Sequence, residues 1–258
     1  MTVPALTVTR PVGPPDAPLL LLGPSLGTSG ILWDSAGPAL ARTHRIVTWD
    51  LPGHGASAPA SAPFTMAELA DAVADAIDRL GAGPVGYVGV SLSGCVGLEL
   101  LRRHPDRVSR AAIICSGAVI GEPDAWRARA AQVRAQGTAS LIIGAAQRWF
   151  APGSVAAHPE LTGRLLHALR DTDDENYALC CEALAGFDAR GRLGGIAAPV
   201  LAVWGAHDEV TPEASAREIA DGVRNGRAEG IPDASHLAPV DDPDAVVALV
   251  DGFFGGRA

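Results

Sequence analysis

Val85-Gly86-Tyr87-Val88-Gly89-Val90-Ser91-Leu92-Ser93-Gly94 is the stretch that decides the fold. Val85 to Val90 is a short apolar run of the kind that forms a buried strand, and Gly94 to Arg103 spaces its apolar residues as a helix. The strand must therefore turn abruptly into the helix across Ser91. Such a turn strains the backbone of its central residue and brings strand and helix into close approach, so it needs small side chains on both sides. Gly89 and Ser93 supply them, with Ser93 standing where the Gly-x-Ser-x-Gly form has its final glycine. Ser and Gly also cluster in ordinary strand-to-helix loops, so the motif needs partners elsewhere in the chain before it implies a nucleophile.

On either side of this turn, strand and helix alternate. Leu19 to Leu22 is an apolar run stopped by Gly23-Pro24, and Arg45 to Asp50 is another, ending at Pro52-Gly53-His54-Gly55. Met66 to Leu80 carries Leu69, Val73, Ile77 and Leu80 at helical spacing, with Gly81 as a stop. Ala111 to Cys115 reads as a strand. From about Val119 the pattern changes: Trp126 to Ala135, Ser140 to Phe150, Leu161 to Leu169 and Asn176 to Leu184 read as consecutive helices. Pro199 to Trp204 resumes the strands, followed by helices over Glu213 to Val223 and Ala245 to Phe254. The expectation is an α/β fold, a mostly parallel sheet flanked by helices, with a helical insertion and ligand sites at the carboxyl ends of the strands.

Partners for Ser91 follow it in the chain. Asp208 lies in the loop after the strand Val200 to Trp204, and His236 lies in a turn-rich loop before the last helix, giving the order Ser, acid, His. His207, beside the acid, is the main competitor and reads as solvated. His54 and Asp50 both precede the serine, which suits a structural loop better. His44, His104, His158 and His167 read as surface residues. In this reading His236 is the general base and Asp208 holds its tautomer. The oxyanion donors are the backbone amides of Leu92, next to the nucleophile, and of Leu26, in the loop after the first strand; Pro24 in that loop has no N–H.

Composition excludes other chemistries. The 258 residues carry a net charge of -9 and all 20 basic residues are Arg, so no lysine is available for a Schiff base, a P-loop or general-base work. The acidic balance with no basic run argues against nucleic acid as a partner. No apolar run approaches the ~20 residues that span a bilayer, and residues 1–18 do not read as a signal peptide, so a soluble cytoplasmic protein without a membrane partner is expected. Cys95, Cys115, Cys180 and Cys181 have no CxxC spacing and read as reduced, half-buried thiols. No metal or cofactor motif is present, and a small molecule is the expected partner. The oligomeric state is not readable from the sequence.

The chain resembles the α/β-hydrolase superfamily through Gly53-His54-Gly55, the turn at Ser91, His104-Pro105-Asp106-Arg107-Val108, and the Asp208 and His236 loops. Within it, Ser25-Leu26-Gly27-Thr28 followed by Trp33, Arg148-Trp149-Phe150, and Asn176 to Cys181 leading to Phe187-Asp188 are similar to 3-oxoadipate enol-lactonases. That family shows Asn at the place of Pro24 and Gly at the place of Ser93. The resemblance implies a hydrolase core over residues 1–118 and 191–258 and a helical cap over 119–190. It further implies that a serine hydrolase opens the enol lactone of 3-oxoadipate, a neutral ring bearing an acetate arm. The arm needs a cation, and the cap offers Arg127, Arg129, Arg134 and Arg148. The family's Trp followed three residues on by Arg corresponds to Trp126 and Arg129, and Arg134 is a second candidate. Trp126 and Trp149 are expected to wall the ring. A general carboxylesterase, another ring or carbon–carbon bond hydrolase, and a ligand-binding relative without turnover are the alternatives.

Overall fold

A computed structural model describes residues 3–81 and 83–255. Its six strands form one sheet: β1 Leu19–Gly23, β2 Arg45–Thr48, β3 Val85–Val90, β4 Val108–Ile114, β5 Val200–Gly205 and β6 Gly226–Ile231. The spatial order is β2-β1-β3-β4-β5-β6, and every pairing is parallel. A parallel sheet needs cover on both faces, and β1 and β3 are accordingly buried at every residue.

Helices supply that cover. Met66–Arg79 forms α1, entered through Thr65, whose hydroxyl accepts from the Glu68 amide while the Glu68 carboxylate accepts from the Thr65 amide. Such a reciprocal cap contributes about 1 kcal/mol. Leu92–Arg103 forms α2, which packs on β3, β4 and α1. It begins two residues before the predicted start because the turn at Ser91 ends directly in the helix.

Between β4 and β5 come α3 Pro123–Gln136, α4 Ile142–Trp149, α5 Pro159–Asp171 and α6 Asp174–Ala185, with a single helical turn at Ser154–Ala157. The predicted Ser140 to Phe150 helix is divided, with a 3-10 turn at Thr138–Leu141 ahead of α4. α3 and α6 pack against each other. The chain then adds α7 Glu213–Gly222 and α8 Pro243–Gly255.

Three expectations need correction. β6 was not expected, because its Gly-Arg-Ala-Glu-Gly-Ile sequence is largely exposed at the sheet edge and carries no apolar alternation. His44 is 4 % exposed rather than on the surface, with Nδ1 3.0 Å from the Thr43 hydroxyl and 3.3 Å from Asp251. The four free cysteines are fully buried rather than half-buried. Among the described residues no helix is long and apolar enough to cross a membrane.

The strand order locates the site. From β1 the chain goes outward to β2, then returns to β3 on the other side of β1, so the direction of winding reverses between β1 and β3. A crevice opens outside the carboxyl ends of strands at such a reversal. Gly23 of β1 and Gly89 of β3 are in register there. The Leu26 loop and the Ser91 turn therefore emerge side by side.

Candidate active site

Ser91 has φ 56° and ψ -119°, in the left-handed half of backbone space that a non-glycine residue seldom occupies. Close packing enforces this strain. A Cβ at Gly89 would lie 2.4 Å from the Ser93 carbonyl oxygen, and one at Gly94 would lie 2.4 Å from the Ser116 hydroxyl. The Ser91 amide donates to the Ile114 carbonyl (2.9 Å), and the Ser91 carbonyl accepts from the Ser116 hydroxyl (2.7 Å). Both links pin the turn to the end of β4 and the loop beyond it.

His236 Nε2 lies 2.9 Å from Ser91 Oγ, and His236 Nδ1 lies 3.0 Å from Asp208 Oδ2. The three side chains come from the ends of β3 and β5 and from the loop after β6. All three residues are buried, at 7 % exposure or less. Asp208 is held by three further contacts to its own loop: Oδ1 accepts from the amides of Val210 (2.8 Å) and Thr211 (3.1 Å), and Oδ2 accepts from the Thr211 hydroxyl (2.6 Å). Burial alone would raise its pKa, but the charge and hydrogen bond of His236 together with the Thr211 donors bring it down to about 2. An ionised Asp208 can only accept, so His236 carries its proton on Nδ1 and Nε2 is left to accept from the serine.

The loop carrying His236 is fixed on both sides of the ring. The Ser235 amide donates to Asp241 (2.7 Å), and the Leu237 amide donates to the Trp149 carbonyl at the end of α4 (2.8 Å). His207 is exposed and does not approach the serine, in line with the solvated reading.

Above Ser91 and His236 lies a cavity of about 40 Å³, lined by Ser25, Leu26, Trp126, Arg129, Leu141, Ala145, Arg148, Trp149, Leu169, Tyr177 and Val210. Leu26 thus lies beside the serine. Leu92 is wholly buried, and as the first residue of α2 its amide has no carbonyl one turn behind it. The structure brings Trp126, Trp149 and Arg129 together in this lining. It does not bring Arg134 there: that guanidinium faces away and pairs with Glu175 (2.7 Å) and Glu182 (2.5 Å) of α6. Arg127 likewise pairs with Asp124 (2.6 Å).

Two lining residues of consequence were not singled out as site residues from sequence, Tyr177 and Ser25. The sequence presents Arg148 only as one cation among several in the helical segment. Tyr177 has its phenol pKa raised by burial despite the nearby Arg129, which hydrogen-bonds it. Behind it stacks His54, ring centroids 6.3 Å apart, fully buried and with Nδ1 2.8 Å from the Pro52 carbonyl. Desolvation lowers His54 to a pKa of about 4, so it stays neutral and serves as packing. Arg129 lies over the Trp126 ring at 4.9 Å. Burial and the neighbouring Arg129 lower the pKa of Arg148. Among the described residues neither Arg129 nor Arg148 has a carboxylate partner.

A larger groove of about 620 Å³ lies along the β2 edge. Both acids that line it are already occupied, Asp50 by the amides of Gly30 (2.7 Å) and Ala56 (2.8 Å) and Asp34 by Arg164 (2.8 Å), and Ser91, Asp208 and His236 are not part of its lining. The geometry at Ser91, a strained serine within reach of a histidine oriented by a buried carboxylate, fits acyl transfer.

Comparison with known proteins agrees with this architecture. The sequence profile of the α/β hydrolase fold family matches residues 18–243. The chain is 35% identical over 233 residues to 3-oxoadipate enol-lactonase 2 of Acinetobacter baylyi, covering 90% of this chain and 87% of that protein. It is 32% identical over 241 residues to 3-oxoadipate enol-lactonase 1 of the same organism, covering 93% and 90%. The crystal structure of the enol-lactonase from Burkholderia xenovorans LB400 superposes with a TM-score of 0.93 at 32% identity, over 97% of this chain and 96% of that one. The strained serine turn, the parallel sheet and these matches together establish that the chain belongs to the α/β-hydrolase fold family.

Proposed function

We propose that this chain is a serine hydrolase that opens the enol lactone of 3-oxoadipate. Ser91 Oγ attacks the lactone carbonyl while His236 Nε2 takes its proton, and Asp208 stabilises the imidazolium so formed. The amides of Leu26 and Leu92 hold the developing oxyanion, worth about 3 kcal/mol per donor. Collapse of the tetrahedral intermediate breaks the ring C–O bond. The leaving oxygen departs as an enol, protonated from His236, and becomes a ketone, which draws the ring opening forward. A water deprotonated by His236 then attacks the acyl-enzyme, releasing 3-oxoadipate and restoring the Ser91 hydroxyl.

The observation that carries the lactone reading is the pair of guanidiniums, Arg129 and Arg148, in the cavity beside Ser91 without a carboxylate partner among the described residues. In a chain of net charge -9, two cations held together and partly desolvated call for an anionic ligand. The acetate arm of the lactone is such a group, and the enol-lactonase relatives support the choice. At about 40 Å³ the cavity holds only a few waters, so the lactone enters with a displacement of the cap helices α3 to α6.

The test is loss of enol-lactone absorbance compared with release of p-nitrophenolate from p-nitrophenyl acetate. Turnover of the lactone should exceed that of the neutral ester by orders of magnitude, and Ser91→Ala should abolish both. Arg129→Met removes a charged hydrogen bond of about 1.5–3 kcal/mol, roughly a tenfold to hundredfold rise in KM for the lactone, while leaving the neutral ester nearly unaffected, and Arg148→Met should raise KM for the lactone by a similar factor. A lactone no better than the acetate ester would favour a general carboxylesterase. Stoichiometric trapping without multiple turnovers would favour a binding protein.

A further inference from the structure

We propose that Ser93 is a positioning residue: its hydroxyl sets the loop that carries the Leu26 amide against the Ser91 turn. The inference rests on the serine-hydrolase reading of the site. Ser93 is wholly buried on the first turn of α2, and its Oγ donates to the carbonyl oxygen of Pro24 at 2.5 Å. Its own backbone is fixed, because the Tyr87 hydroxyl donates to the Ser93 carbonyl at 2.7 Å. Loop and turn touch at this point. A Cβ placed on Gly23 would lie 2.6 Å from Ser93 Cβ, so nothing larger separates them.

The path from Pro24 to the amide is short and stiff. Proline fixes its own φ and brings no N–H, so the carbonyl is the polar group by which this residue can be tied down. Ser25 follows, and its carbonyl accepts both the amide (3.0 Å) and the hydroxyl (2.8 Å) of Thr28. Residues 25–28 are therefore a closed turn carrying the Leu26 amide, and its orientation is set where it joins Pro24. Pro24 is buried. A smaller residue at 93 would leave its carbonyl without a partner and leave a gap beside Gly23.

Ser93→Ala and Ser93→Gly test this through phosphonylation of Ser91 by a p-nitrophenyl alkylphosphonate, which does not require the lactone to be the substrate. Ser91 Oγ attacks phosphorus, its proton passes to His236, p-nitrophenolate leaves, and the phosphonyl oxygen of the adduct occupies the oxyanion position. Loss of one donor costs roughly a hundredfold or more, so a displaced donor should slow phosphonylation and lactone kcat by at least tenfold. KM for the lactone and the pH profile should stay close to wild type, because the cavity arginines and His236 are untouched, while the unpaired Pro24 carbonyl lowers the melting temperature by only several degrees and leaves the protein folded. Unchanged phosphonylation and kcat within twofold in both variants would overturn the proposal, as would loss of folding in both or a change confined to KM. A wild-type protein that is not phosphonylated at all would instead overturn the hydrolase reading.

Discussion

Asp208→Asn offers a test in which the structure dictates the outcome atom by atom. Asp208 Oδ1 accepts two backbone amides, from Val210 and Thr211, and Oδ2 faces His236 Nδ1 at 3.0 Å and the Thr211 hydroxyl at 2.6 Å. In the asparagine variant the amide oxygen must stay with the two backbone donors, since the NH₂ group there would set donor against donor twice. The NH₂ therefore faces His236. Thr211 can rotate its hydroxyl to accept, but Nδ1 must now accept as well, which moves the ring proton to Nε2. That nitrogen then donates to Ser91 instead of accepting from it, and the base is lost without displacement of any heavy atom. A wrong tautomer in such a constellation lowers kcat by about 10⁴, near 5 kcal/mol in the barrier. KM should change little, because Asp208 is not part of the cavity lining. The assay is lactone turnover near neutral pH with the melting temperature in parallel. Activity within tenfold of wild type in a normally folded variant would refute the assignment of Asp208 as the residue that sets the His236 tautomer.

The same carboxylate governs acid stability. Its folded pKa of about 2 lies below the unfolded value of about 3.9, so its contribution is complete above pH 4 and is lost as pH falls through 2. The melting-temperature difference between wild type and Asp208→Asn should shrink across that window, and a constant difference would contradict the ion-pair description. Gly89→Ala places a methyl 2.4 Å from the Ser93 carbonyl oxygen and 2.6 Å from its carbon; both are backbone and cannot rotate away. An overpacking cost of about 1–3 kcal/mol or more is expected, read in urea unfolding together with loss of activity. Burial pushes Cys95 up to about 12, Cys181 likewise, and Cys115 and Cys180 well above the ordinary thiol value. Iodoacetamide at neutral pH should leave the native protein unlabelled by mass and add four carbamidomethyl groups in urea; labelling at native rates comparable to unfolded ones would contradict this burial.

What was legible in the sequence follows the physics of each element. The apolar runs of β1, β3 and β5 need no context, because a strand covered on both faces is apolar throughout. β6 escaped because an edge strand is half solvated and free to carry Arg227 and Glu229. Ser91, Asp208 and His236 could be nominated because each sits in a loop whose place at a strand end is set by chain order, and the structure brings these three nominees together. The cap was harder. Arg127, Arg129 and Arg134 share one helix and one residue type, and what separates them is the partner each meets across space: Asp124 for the first, an indole face for the second, Glu175 and Glu182 of α6 for the third. No spacing rule on α3 alone reports which acids α6 will present. Tyr177 likewise reads as one more apolar residue in a buried helix until its neighbours Arg129 and His54 are seen.

The helical insertion between β4 and β5 is also tied to the loop that carries His236. Leu237, directly after His236, donates its amide to the Trp149 carbonyl, and the Ser235 hydroxyl, directly before it, donates to the carbonyls of Arg148 (3.3 Å) and His207 (3.1 Å). Asp241 adds a third tie, accepting from the Ser235 amide (2.7 Å) and from Ser154 in the helical turn after α4 (2.5 Å). The two residues whose side chains line the cavity at the end of α4 thus hold, through their main chain, the loop that aims His236 at Ser91. A displacement of α4 to admit a ligand moves that loop as well. Substitutions at Arg148 or Trp149 that shift the helix backbone should therefore lower kcat together with affinity, whereas a change at Arg129 on α3, which shares no hydrogen bond with the His236 loop, should act on affinity alone. That division separates recognition by charge from alignment of His236 within a single helical insertion.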